Sequence, residues 1–334
     1  MTDCIPVALI VDDPPINTTY WIRRQAEELG IAREPRGEFG TFVADWRRQE
    51  PAKIVPNDFW REFAGWAREA GVRGKFSFLP CPAGLGYVDD KVEGFPATEL
   101  SELLGIVREG IAPRFDITPE FMTHTMAWDV ENRRLLPVTE WEWADTQSEA
   151  VLTDYLAEAL RILKNAGITA TGVTQPCSRR GDEMVLARAV LAAMKRVCGV
   201  GRTFYFLHAD GQSLPAPSKV MIGGADSDEW VVSIVSGVRA DEPFWASLYG
   251  AGDVEEMAEY FISADGRTGR LVDLLNAGGP VVFHAHSQTL YSNGTQKGFR
   301  SLQLVADRIN RHLGRRVRWA TCSDVAAWTV SRAE

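Results

Sequence analysis

What this 334-residue chain lacks narrows it first. It has no run approaching the roughly 20 apolar residues that a bilayer-crossing helix needs, so no membrane span is expected. Its first residues, Met1-Thr-Asp-Cys4, form neither a basic nor an apolar leader, which points to a cytoplasmic protein. Cysteine is scarce. The five residues, Cys4, Cys81, Cys177, Cys198 and Cys322, are scattered, odd in number and without a Cys-x-x-Cys pair. That pattern excludes a disulfide framework or a structural zinc knuckle and reads as reduced thiols. Basic charge is in deficit, with a net charge of −9 and no Lys/Arg block. Nucleic acid is therefore excluded as a partner, because its phosphates would repel the surface. There is no internal repeat, no low-complexity tract and no linker rich in Pro, Gly and Ser, so residues 1–334 read as one domain with insertions. Gly199-Val-Gly201 and Gly278-Gly279 complete no phosphate-binding fingerprint.

What is present is concentrated in two short strands. Val7-Ala-Leu-Ile-Val-Asp12-Asp13 and Val281-Val-Phe-His284-Ala-His286 are runs of apolar and β-branched residues that a strand buried on both faces requires. Each ends in groups that bind metals or move protons. Adjacent carboxylates repel one another unless a cation or a shared proton relieves them. Strand alternation places His284 and His286 on one face, where two imidazoles can reach a common point.

Around these strands the chain alternates strand and helix. Helices are predicted from Asn17 to Leu29, Phe59 to Ala70, Glu99 to Arg108, Ser148 to Ala166, Glu183 to Arg196 and Gly298 to Leu313, with a last one from Ser323 or Asp324. Strands are predicted at Lys75–Leu79, Phe115–Ile117, Ile168–Val173, Thr203–Leu207, Trp230–Val235 and Val317–Ala320. This order implies an α/β fold with a parallel sheet, open or closed, whose site lies at the carboxyl ends of the strands. Residues 30–56 have the least regular pattern and are read as a loop or lid, with a second loop at 223–228.

The strand-end rule selects Asp12, Asp13 and His286. Pro14-Pro15 forces a turn directly after the acidic pair. One Asp would then hold a divalent metal and the other act as general base, because water at neutral pH is a poor nucleophile until a cation lowers its pKa. His124, after the turn at Pro119, is a candidate ligand, with Asp129 joining it or orienting its ring. His286 would serve as ligand or general acid and His284, one layer deeper, as a supporting group. His208 ends a strand and carries less weight, and His312 sits late in an Arg-rich helix where a cation suits the helix dipole. Glu140-Trp-Glu142-Trp143 alternates acid and aromatic, a pattern suited to sugar contact, and Trp128 and Arg179 are further substrate-binding candidates.

In order, these elements resemble the polysaccharide deacetylases (NodB-like, carbohydrate esterase family 4) and the wider glycoside hydrolase/deacetylase superfamily. The resemblance maps Asp12 to that family's catalytic base and Asp13 to a metal ligand. Thr123-His124-Thr125 is similar to its histidine-containing metal motif, Thr174-Gln175-Pro176 to its Arg-x-Pro-type motif, and His286, or else His284, to its general acid. Trp128 stands where a second motif histidine would be, Pro14 replaces a glycine, and Gln175 precedes Pro176 with no arginine. The resemblance implies a distorted (β/α) barrel of about seven strands. It also implies a divalent metal, zinc first and nickel, cobalt or manganese as alternatives, held by Asp13, His124 and Asp129 or His284. The implied activity is removal of an acyl group from a small-molecule or oligosaccharide substrate. A metal-free carboxylate glycosidase and a catalytically silent sugar-binding protein are the alternatives, and a homo-oligomer is left open.

Overall fold

The apolar run after Cys4 becomes strand β1 (Ile5–Asp12), buried along nearly its whole length. The computed structural model describes residues 4–30, 52–177, 181–207, 218–238, 242–249 and 251–333. β1 pairs in parallel with β10 (Val281–His286), from Val7↔Val281 to Asp12↔His286, so the two chemically marked strands are neighbours in register. It also pairs in parallel with β2 (Gly74–Ser77), and its first residues pair with β11 (Val317–Trp319). β2 continues the sheet to β3 (Phe115–Thr118). A second sheet has the order β6 (Val173–Thr174), β7 (Arg202–Leu207), β9 (Trp230–Val235) and β8 (Lys219–Ile222), with only β8 antiparallel. The fold is thus mixed α/β around parallel strands.

The second sheet touches both edges of the first. Single parallel bridges join Ile117 to Ala170 and Glu120 to Thr174. Beyond β9, the Gly237 N–H donates to the Val282 carbonyl of β10 at 2.6 Å. An antiparallel hairpin of β4 (Met126–Asp129) and β5 (Arg134–Thr139) leads into a helix at Glu140–Asp145.

Strand alternation separates two apolar clusters. Val7, Leu9 and Val11 face a large outer cluster with the surrounding helices, among them Phe59, Trp60 and Phe63 of helix Asn57–Glu69. Leu152, Leu156, Leu160 and Leu163 form one buried stripe of helix Glu149–Asn165, each contributing about 1.5–3 kcal/mol through burial. Ala8 and Ile10 instead join Phe204, Phe206, Val232, Ile234 and Val282 in a smaller inner cluster. Helix Cys322–Val330 closes that cluster by adding Val325, Ala326 and Val330.

Most predicted elements appear, with two informative differences. The strand expected over Ile168–Val173 is confined to Val173–Thr174. The preceding segment runs so close to β7 that a Cβ on Gly172 would lie 2.6 Å from the Phe204 carbonyl oxygen. The helix expected over Glu99–Arg108 runs Ala97–Gly105 and then widens into a π-type turn, Ile106–Ile111. The proposed lid falls largely on residues 31–51, outside the described residues, although Ile54 beyond it bridges to Ile16.

Candidate metal centre

Three chain segments converge beyond the carboxyl ends of β1, β3 and β6. Asp13 follows β1 with φ 75°, and Phe121 and His124 follow β3 with φ 47° and 55°. Cys177, beyond β6, has φ 51°. A left-handed backbone at a residue other than glycine costs about 1–3 kcal/mol and persists only where its surroundings hold it. Here the restraints are visible. The Asp13 N–H donates to Glu120 Oε2 at 3.0 Å, and the Phe121 N–H donates to the Thr174 carbonyl at 3.2 Å. The His124 N–H donates to Glu140 Oε2 at 2.7 Å.

Glu140 is the anchor of this loop. Its Oε1 accepts the N–H groups of Met122 and Thr123, each at 3.0 Å, and the Tyr155 hydroxyl at 2.5 Å. Burial pushes the Glu140 carboxyl up, against the pull of Tyr155 and the three amides. One side chain therefore holds the whole turn that presents His124.

The turn places the His124 imidazole between two carboxylates. Its Nε2 lies 3.1 Å from Asp13 Oδ1 and its Nδ1 3.0 Å from Glu120 Oε1. These approaches lack hydrogen-bond alignment, so Asp13 Oδ1, Glu120 Oε1 and His124 Nδ1 are buried yet make no hydrogen bond. The other Asp13 oxygen, Oδ2, is fully engaged by Thr18 Oγ1 at 2.6 Å and Gln288 Nε2 at 2.5 Å. Burial would lower the His124 pKa, but Glu120 and then Asp13 outweigh it and hold the imidazole well above its usual range.

Asp13, Glu120 and His124 could together hold a metal ion, since one ligand atom from each lies within 4.8 Å of the other two. The donor set fits: two carboxylates and a neutral imidazole balance a divalent cation in charge, and both ligand types suit zinc and its neighbours. The strongest sign of fit is that these buried atoms face one another without an aligned hydrogen bond.

Asp12 takes another place. It points to the inner side of the sheet, where its Oδ1 accepts from Lys75 Nζ at 2.6 Å and Ser77 Oγ at 2.7 Å. His286 is 7% exposed at the end of β10, its ring 5.2 Å from that of Trp245 and 5.4 Å from that of His284. His284 is fully buried, with Nδ1 2.6 Å from Ser236 Oγ.

The structure therefore brings Asp13 and His124 together, and adds Glu120 where Asp129 or His284 had been expected. Asp129 does not reach the centre. It closes the β4–β5 turn by accepting from the Asn132 side chain and backbone, with Arg134 also near, and these partners hold its pKa low. His284 faces Ser236 and lies outside the cluster. Glu140 is wholly internal, because four donors consume its oxygens, so it is not placed for sugar contact. Trp128 is buried, its indole N–H donating to the Tyr87 hydroxyl at 3.1 Å. Glu142 accepts from the Thr139 hydroxyl at the start of its helix. Arg179 and His208 lie outside the described residues.

Two residues escaped the sequence reading. Glu120 stands just beyond β3 and four residues before His124, a strand-end signal that was readable. Lys75 falls in a predicted strand but not among the site candidates. A lysine in a strand is ordinarily solvated, and nothing local marks one that is buried. A scan of known protein families and a search of curated proteins find no match to this chain.

Proposed function

We propose that the protein is a metal-dependent hydrolase that removes an acyl group, as amide or ester, from a sugar or sugar-like molecule. The observation that carries this reading is the convergence of buried ligand atoms from Asp13, Glu120 and His124, facing one another without aligned hydrogen bonds. A divalent cation held by these residues, zinc first, would supply Lewis acidity, making water more acidic and polarising an acyl carbonyl.

The remaining chemistry belongs to the chain. Asp12, next to the ligand Asp13, takes a proton from the attacking water as general base. His286, the neighbour of Asp12 in strand register, gives a proton to the leaving amine or alcohol. Trp245 beside His286 supplies an aromatic wall that suits a sugar ring. The left-handed turns at Asp13 and His124 fix ligand directions before substrate arrives. The bridges between the two sheets support the finer fold reading, a distorted barrel with this centre at its mouth.

The test is elemental analysis of protein purified without chelator or a metal-affinity tag, beside His124→Ala. About one equivalent of zinc or a related ion in the wild type, absent from the variant, is the expected result. Turnover of acetylated sugars or of p-nitrophenyl acetate should follow the metal. Absence of metal after incubation with zinc would sink this reading.

A further inference from the structure

Lys75 is the least expected residue inside the fold. It is 0% exposed on β2, and lysine is almost never fully buried unless paired. Its ammonium is completely satisfied. Nζ donates to Asp12 Oδ1 at 2.6 Å, Ser77 Oγ at 2.7 Å and Thr174 Oγ1 at 2.6 Å, which uses all three N–H bonds. It also lies 4.5 Å from the centre of the Phe206 ring. Register explains the approach: Lys75 is the partner of Ile10, one inward-facing position before Asp12. Ser77, the next inward residue of β2, adds a second hydrogen bond to the same Asp12 oxygen. Thr118 Oγ1, 2.8 Å from Thr174 Oγ1, completes a polar layer drawn from β1, β2, β3 and β6.

Stability alone is a poor reason for such a pair. Replacing a buried ion pair by apolar residues of similar size is often neutral or stabilising, because both charges must be desolvated. The inner cluster directly beneath is apolar and would accept such a replacement. Full use of the lysine donors also argues against Lys75 as a nucleophile, since no lone pair or loose N–H remains. What the arrangement does achieve is orientation. Asp12 is bound through Oδ1 by two donors from one neighbouring strand, while Asp13, the next residue, turns away in a left-handed conformation toward His124.

We propose that Lys75 is a positioning residue that holds Asp12 in the orientation of a general base and keeps it out of the metal ligand set. This rests on the hydrolase reading above. Lys75 acts through Asp12 and touches no substrate, so its effect must vanish once Asp12 can no longer work.

The experiment is a double-mutant cycle on zinc-loaded full-length protein, using Lys75→Met, Asp12→Asn and the double variant. The probe is p-nitrophenyl acetate, with kcat, KM and bound zinc measured for each. Lys75→Met is expected to lower kcat about 100-fold, the lower range for a general base, with KM and zinc content unchanged. In the Asp12→Asn background the same substitution should change kcat less than about threefold. Independent, multiplying losses would overturn the proposal, as would an unchanged kcat in Lys75→Met. Loss of zinc in Lys75→Met would also overturn it, by making Lys75 a support of the metal centre. If Lys75→Met fails to fold, Lys75→Gln decides the matter in the opposite sense: its amide can still donate to Asp12, so kcat should fall less than about tenfold, and a loss of about 100-fold would overturn the proposal. A zinc-loaded wild type no faster than Asp12→Asn would instead defeat the hydrolase reading itself, whatever Lys75 does.

Discussion

The two ends of the same parallel strands are built on opposite principles. At the amino end, Ala8, Val282, Phe204 and Val232 meet Val325, Ala326 and Val330 of the closing helix, and almost every contact is apolar. At the carboxyl end, Asp12, His284 and His286 stand on the same two strands, with Asp13 directly after β1, and all four are buried. The closed end contains a buried acid, Asp116, which receives the Ser323 N–H at the start of the closing helix at 2.6 Å. The open end has several charges in contact. Apolar packing tolerates approximate fit, whereas buried charges require every partner in place. Apolar packing and buried charge are thus divided along the strand axis, within a single set of strands.

Substitutions at the two ends should therefore have different signatures. The largest effect is expected from His124→Ala, which should weaken zinc binding by at least about 100-fold and abolish turnover that depends on it. Equilibrium dialysis against zinc would measure this, and retained affinity would break the division at its central point. Glu140→Ala should come next. It strands three backbone N–H groups and the Tyr155 hydroxyl, and a loss of about 4 kcal/mol with reduced metal binding is expected from urea unfolding. At the closed end, Val325→Ala should cost about 2 kcal/mol through lost burial and a small cavity, while metal stoichiometry stays at the wild-type level. Should that variant lose metal, the two ends are coupled and the comparison fails.

Titration sharpens the contrast with smaller effects. In metal-free protein the His124 pKa is raised, since Glu120 and Asp13 outweigh burial. Stability from the protonated ring is complete below the ordinary imidazole range near about 6.5 and is lost as pH rises through the folded-state value. Metal-free wild type should thus lose stability over that window, and His124→Gln should flatten the profile. Zinc binding should release the same proton, so its apparent affinity should climb with pH. Asp116 is also raised, by burial, so the stability its neutral form allows declines as pH rises from about 4 through its folded value. Asp116→Asn should remove that slope and leave metal binding unchanged, the smallest effect of the set. Thermal denaturation across pH would check both.

The site was legible in proportion to how local its signals are. Asp13 and His124 are legible as candidate ligands because each follows a readable strand or turn. Glu120 carries the same signal, whereas Asp129, the expected ligand, belongs to a turn closed by Asn132. Glu140 and Glu142 suggested alternation, but residues 140–145 form a helix, in which positions two apart do not share a face. Glu140 thereby turns inward to the loop that presents His124, while Glu142 bonds to Thr139.

By itself the amino-acid sequence determined the strand and helix order, the burial of β1 and β10 and the placement of acids and imidazoles at their ends. Hydrophobic runs, caps and strand alternation act within a few residues, so a linear reading captures them. The tertiary structure alone decided which charges meet. Lys75 reaches Asp12 across 63 positions and Glu120 reaches Asp13 across 107, and those distances close only when the strands pair. Coulombic and hydrogen-bond partners are set by proximity in space, and burial then turns each such meeting into a constraint that the fold must satisfy.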